Sequence, residues 1–299
     1  MPLNEIEQHP FLKYFLEHHN GNVPWEKYTK MIIGSFPVYN ITETVYPFNE
    51  QRHLIQDESM PFFYGSPTNR FWSSLAEVFG VDDKQLTPIQ RKKWAIDLIE
   101  DKNILLTDII FRTNRFDNSA SGPYSPNDSA LFNRSAQQNV IEQFSLNADM
   151  LEWLKLATNI SCIYFTAQGT KGKTPGGWFD SLLSNSNIQY EEFHRQDNAV
   201  KYRISLNGQV RVIKLFFLPT PSSSRSLAFT KSTRHNMFSN YLESHHQEFY
   251  KELRDVDFVM NQFHKDRLKE HRLVFKKLWW YQYLMNNSVY FDGNRYVEV

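Results

Sequence analysis

Four short apolar runs constrain the fold of this chain most: Lys30 to Gly34, Asn103 to Ile110, Ser161 to Thr166 and Val210 to Leu218. Each is five to nine residues long and stops at a polar, Gly or Pro signal. A half-exposed strand alternates apolar and polar residues, whereas a strand buried on both faces reads as a near-continuous apolar run, as in a parallel sheet. Helical patterns fall between the runs. Residues 69–79 carry apolar side chains at 71, 72, 75, 78 and 79, Thr87-Pro88 opens a second pattern, and residues 139–156 form a third. This order predicts a three-layer α/β/α domain with a central, mainly parallel sheet of four to five strands. Residues 185–209 are expected to add a hairpin, with Asn207-Gly208 as its turn. From His235 onward Gly and Pro nearly vanish and charges alternate with aromatics. That change predicts an α/β domain over 1–234 and a helical C-terminal extension over 235–299. The last helix is expected at about 261–286, followed by a terminal hairpin around Asp292-Gly293.

Charge is balanced at 33 basic and 33 acidic residues, so any polyanion must be met by a local patch. The abundance of rings, 24 Phe, 15 Tyr and 7 Trp, argues for a folded protein. The one cysteine, Cys162, lies inside an apolar run. It reads as a small core residue in a protein of a reducing compartment, and a cytoplasmic location is expected. The N-terminus lacks the pattern of a signal peptide, and no run approaches the roughly 20 apolar residues of a membrane span.

Ligands of open α/β sheets gather beyond the carboxyl ends of the strands. That rule selects Gly34-Ser35-Phe36-Pro37, Asp108, the loop Ala167 to Thr174, and Pro219-Thr220-Pro221-Ser222-Ser223-Ser224-Arg225. Gly172-Lys173-Thr174 has the look of a phosphate-binding loop. However, Ala167 stands where that pattern needs glycine, and Pro175-Gly176-Gly177 is expected to follow in place of a helix. His18-His19 and His245-His246 are adjacent pairs without the helical spacing of zinc ligands, and they read as solvent-exposed. The aromatic stretch Pro61 to Trp72 is a loop able to present flat rings, Phe63 or Tyr64, to a flat ligand. Packing of the same rings into the core is the competing reading.

Taken in order, Ile32-Ile33-Gly34-Ser35-Phe36-Pro37, Phe63-Tyr64-Gly65-Ser66-Pro67-Thr68-Asn69-Arg70-Phe71-Trp72, Leu106-Thr107-Asp108-Ile109-Ile110 and Leu218-Pro219-Thr220-Pro221-Ser222-Ser223 resemble the motifs of the uracil-DNA glycosylase superfamily. The nearest likeness is to hypoxanthine (deoxyinosine) and mismatch-specific DNA glycosylases, and it covers about residues 28–230. The resemblance implies an enzyme that flips a deaminated base, hypoxanthine or uracil, out of DNA and hydrolyses its N-glycosidic bond. It implies Asn69 and Asp108 as the catalytic pair. Gly34, Ser35, Phe36, Pro37, Phe63 and Tyr64 would line the base pocket. Ser222, Ser223, Ser224 and Arg225 would grip DNA phosphates, joined by a basic patch of Lys171, Lys173 and Lys231.

Many members hold the water with an Asp or Asn at the position of Phe36. The hypoxanthine-type members share this Phe, and the duty then passes to Asn69, which can equally serve as a helix N-cap. Pro219-Thr220-Pro221-Ser222 replaces the usual His-Pro-Ser. The expected partner is DNA containing a damaged base, the expected state is a monomer, and no cofactor or metal is expected. A non-catalytic nucleic-acid binder of the same fold is the alternative.

Overall fold

The computed structural model describes residues 7–35, 60–65, 69, 71–79, 81–113, 145–166, 174–196, 199–218, 237–255, 259–272, 289–291 and 296–298. In chain order its main elements begin with β1 (Glu7–Gln8), α1 (Tyr14–His18), β2 (Lys30–Gly34), α2 (Phe71–Val78) and α3 (Pro88–Asp101). They continue with β3 (Ile104–Asp108), β4 (Ile110–Thr113), β5 (Ser145–Leu146), α4 (Asp149–Leu156), β6 (Cys162–Phe165) and α5 (Pro175–Asn185). Then come β7 (Tyr190–Gln196), β8 (Ala199–Leu206), β9 (Gln209–Phe217), α6 (Met237–His245), α7 (Gln247–Arg254), a helix over 262–272, and the pair β10 (Val289–Phe291) and β11 (Tyr296–Glu298).

Every residue of β2, β3 and β6 is buried. With no exposed face, these strands place Ile32, Ile33, Leu105, Leu106, Ile163 and Phe165 on both sides of one sheet. Six strands form that sheet in the order β3-β2-β6-β9-β8-β7. The four apolar runs pair in parallel, Gly34 opposite Asp108 and Cys162 opposite Lys214. β8 and β9 are antiparallel around Asn207-Gly208, where φ is +51° and +76°. Two successive left-handed residues make the tight turn that suits the twist of a hairpin, and Asn and Gly tolerate it best.

The expected count of four to five strands is corrected to six because β7 and β8 extend the same sheet. The edge strand β7 has exposed charges and a register shift between Glu192 and His194, features that discourage further pairing. A second, short antiparallel sheet, β1-β4-β5, was not foreseen. Its strands are two to four residues long and carry no pattern of their own.

The helices are stopped and started by side chains. Thr87 and Gln90 form a reciprocal capping box at α3, behind Pro88. At the other end of α4, the Arg211 guanidinium donates to the carbonyls of Leu154 (2.5 Å), Ala157 (3.1 Å) and Ile160 (2.6 Å). One planar, five-donor group thereby satisfies one carbonyl in the last turn of the helix and two just beyond it, tying the helix to β9. No helix among the described residues is long and apolar enough to cross a membrane.

In the C-terminal segment the described residues hold α6, α7 and the helix over 262–272, with β10 paired to β11, while the rest of the helix expected to about 286 and the turn at Asp292-Gly293 lie outside the described residues. The buried Phe238, Tyr241, Leu242, Phe249, Leu253 and Leu268 belong to the same apolar cluster as the central strands. The rings of His246 and His271 pack with centroids 3.9 Å apart. Burial, then the positive charges of His246 and Arg267, push the His271 imidazole down to about 4. An unfolded chain takes up this proton near pH 6.5, whereas the fold resists it. Stability from this group is therefore present above about pH 6.5 and is lost as pH falls toward 4. Urea midpoints measured across this window should fall less steeply for His271→Leu than for the unaltered protein. Equal slopes would contradict the assignment.

Candidate functional site

The chain leaves β2 toward β3 on one side and leaves β6 toward β9 on the other. Between β2 and β6 the connections diverge, and this switch point marks the carboxyl ends of these strands as the place where the crevice of an open sheet is expected. Gly34 ends β2, Asp108 ends β3 beside it, and Thr166 follows β6, its N–H donating to the Ile33 carbonyl (3.1 Å). A Cβ on Gly34 would stand 2.1 Å from both Asp108 Oδ1 and the Tyr64 hydroxyl. Glycine at this strand end is what lets a carboxylate and a phenol converge over the backbone.

Tyr64 reaches the crevice from a loop folded tightly on itself. Met60 N–H donates to the Gly65 carbonyl (2.9 Å), and Gly65 N–H donates to that of Phe62 (3.1 Å). A Cβ on Gly65 would lie 1.9 Å from the Met60 carbonyl oxygen, so the turn needs glycine. Phe62 and Phe63 anchor the loop in the core. Phe63 packs on His9, Phe11, Tyr14 and Phe62, and the Trp72 indole N–H holds its carbonyl at 2.5 Å. Tyr64 is forced into the left-handed region at φ +55°, which is strained for a residue with a side chain. Its hydroxyl donates to Thr166 Oγ1 (3.3 Å), bridging two walls of the crevice.

Asp108 is buried, and His9 Nε2 lies 2.8 Å from its Oδ2. The Phe11 N–H donates to His9 Nδ1 (3.1 Å), which leaves the ring proton on Nε2, pointed at the carboxylate. The short β1–β4 pairing brings His9 there, its N–H donating to the Phe111 carbonyl (2.8 Å). Asn147 holds the backbone: its amide donates to Asp108 O (3.1 Å) and Thr107 Oγ1 (3.2 Å). Asp108 Oδ1, in contrast, is buried with no hydrogen-bond partner among the described residues. Such an acceptor is costly unless something supplies a donor.

Of the residues named from sequence, Gly34, Asp108 and Tyr64 meet at this crevice, with Ser35 next in the chain. Phe63 is 1% exposed, so its ring serves the core, whereas Tyr64 is only partly buried, with its ring packed on Phe71 (centroids 4.8 Å apart). Asn69 Oδ1 accepts from the Phe71 N–H (2.9 Å) at the start of α2, so its carbonyl acts as a helix cap. Phe36, Pro37, Lys171, Lys173, Ser222, Ser223, Ser224, Arg225 and Lys231 lie outside the described residues. The expectation that no helix follows the Gly172-Lys173-Thr174 stretch is corrected. α5 opens at Pro175, with Thr174 as its N-cap accepting from Gly177 N–H (3.1 Å). Sequence reading missed His9, Thr166 and Asn147. Thr166 ends an apolar run and was within reach of the strand-end rule, whereas no local pattern marks the other two.

A second polar cluster lies away from the crevice. The ligand atoms of His18, His19 and Glu100 fall within 4.8 Å of one another, and His19 is half-buried, which corrects the expectation of an exposed pair. Glu100 is already engaged, however. Lys27 donates to its Oε2 (2.8 Å) and the Tyr28 hydroxyl to its Oε1 (2.9 Å). Burial alone would raise this carboxyl, but the donors Lys27 and Tyr28 and the charge of Lys27 hold it below the usual range. The arrangement is a satisfied ion-pair network.

Comparison with protein-family models, with curated proteins and with solved structures gives no match. The class rests on the geometry: a mixed α/β protein with a mostly parallel six-stranded sheet and a carboxylate-bearing crevice at its carboxyl edge.

Both glycines bear on this crevice and are testable through stability. Gly34→Ala must displace two side-chain ends, whereas Gly65→Ala must open the loop backbone. Both should lower urea-unfolding stability by about 1–3 kcal/mol, Gly65→Ala the more. A Gly65→Ala protein as stable as the parent would contradict the tight loop.

Proposed function

We propose that this protein is a DNA glycosylase that captures a deaminated base, of hypoxanthine or uracil type, in the crevice and hydrolyses its N-glycosidic bond. The observation that carries the reading is Asp108 Oδ1, a buried acceptor with no partner among the described residues, set over Gly34 beside a strained Tyr64. The ordered motif resemblance over residues 28–230 supports it. Three layers, with helices on both faces of the sheet, are part of the same proposal.

Deamination of adenine converts a bare ring nitrogen into a ring N–H, and uracil also carries one. A carboxylate oxygen accepts that proton and rejects the bare nitrogen of adenine. Tyr64 offers its ring for stacking. Water adds to the sugar carbon as the carbon–nitrogen bond breaks, and the proton it sheds passes to the departing base. Positioning and electrostatics supply most of the help. Asn69 has its carbonyl committed to the cap, so its amide N–H groups are what it can offer the water. The serines and Arg225 beyond β9, with Lys171, Lys173 and Lys231, supply the phosphate grip.

Excision from duplexes with one lesion each, under single turnover, tests the reading. His9 presents a donor to position 108, so an amide in Asp108→Asn will turn its carbonyl to His9 and its NH2 to the base. The polarity inverts, and hypoxanthine excision should fall at least about 100-fold with little loss of DNA affinity. Retained excision would refute the role of Asp108.

Asn69→Ser keeps a good N-cap but removes the amide donors. It should keep the parent's thermal stability and lose most of the excision rate. Full activity would make Asn69 a cap only.

A further inference from the structure

His9 stands outside every motif that pointed to the site, 99 residues from the carboxylate it meets. Resting on the glycosylase reading, we infer that His9 is a positioning residue, which fixes Asp108 so that Oδ1 is the oxygen offered to the base. The ring is itself fixed at both nitrogens. Phe11 N–H donates to Nδ1, and Nε2 faces Asp108 Oδ2. Phe63, with centroids 5.1 Å apart, and Phe11, near-perpendicular at 6.0 Å, pack against the ring. The His9 side chain is fully buried, so no water competes for its proton.

The hydrogen bond does two things for the carboxylate. It removes the rotation that would exchange the two oxygens, and it draws negative charge toward Oδ2, away from a base that gains electrons as its bond to the sugar breaks. A carboxylate without it would be free to turn toward the Tyr64 hydroxyl. That hydroxyl and Oδ1 each stand 2.1 Å from the same point above Gly34.

The test compares His9→Leu, His9→Gln, Asp108→Asn and the His9→Leu/Asp108→Asn double variant in single-turnover excision, with lesion-free duplex binding measured for each. His9→Leu should lose about 10- to 150-fold in rate, the worth of a hydrogen bond to a charged group, with duplex affinity within about twofold. His9→Gln keeps an N–H donor and should recover most of the rate. In the Asp108→Asn background, His9→Leu should cost nothing further, because His9 acts through Asp108. A His9→Leu rate within twofold of the parent, or a further full loss in the double variant, would overturn the inference.

A readout without DNA separates the two levels. Long-range proton–nitrogen NMR of the unaltered protein should show a neutral His9 ring protonated at Nε2, and it decides even where His9→Leu fails to fold. A proton on Nδ1 overturns the positioning role alone. Absence of base release from every lesion by the unaltered protein overturns the glycosylase reading, and the positioning role with it.

Discussion

The parallel pairing of β2 with β3 on one side and β6 on the other is the constraint on which the rest depends. All three strands are buried along their whole length, so their middles admit no chemistry. Polar groups are displaced to the strand ends, and the register decides which ones meet. Gly34 opposite Asp108 is the last pair of the β2–β3 ladder. A one-residue slip would turn Asp108 to the other face of the sheet. It would also put a Cβ-bearing residue where the Tyr64 hydroxyl and the carboxylate now converge. The crevice is thus a consequence of the sheet's register.

Two buried carboxylates show what this displacement costs and what it allows. Glu100 receives Lys27 and Tyr28 on separate oxygens, with His19 beside it, and its demand for donors is met. Asp108 receives His9 on one oxygen and keeps the other without a partner among the described residues. An acceptor left in that condition costs about 1–3 kcal/mol. Its neighbours suggest where the compensation lies. Tyr64 is held at positive φ by a loop whose glycine touches backbone, and Asn147 braces the Asp108 carbonyl. Under the proposed function, strain and an unmet acceptor in one crevice belong to a binding site built ahead of its ligand.

How much of this was legible depends on how local each signal is. The four parallel strands were readable because burial on both faces leaves an unbroken apolar run. The Asn207-Gly208 turn was readable because few other pairs accept two left-handed residues. β1 and β5 were not, since strands of two residues have no period and exist only through pairing with β4. His9 was illegible for the same reason. Its meaning lies in a contact 99 residues away, delivered by that pairing. Within the aromatic loop, sequence could not divide Phe63 from Tyr64. The structure divides them, burying the Phe63 ring and leaving Tyr64 partly buried on Phe71 with its hydroxyl carried to Thr166. Asn69 was identified with two roles, and the contact to Phe71 N–H occupies its carbonyl while leaving its amide donors to be tested.

The central claim is that the Asp108 crevice takes one deaminated base and severs it from its sugar. Its most direct test is base release: excess protein mixed with a duplex carrying a single deoxyinosine or deoxyuridine, with the freed base and abasic strand weighed by mass spectrometry. The account predicts one free base and one abasic site per duplex, and no release from the matched undamaged duplex. Intact nucleotides in every lesion-bearing duplex, with the protein folded and bound to DNA, would contradict it.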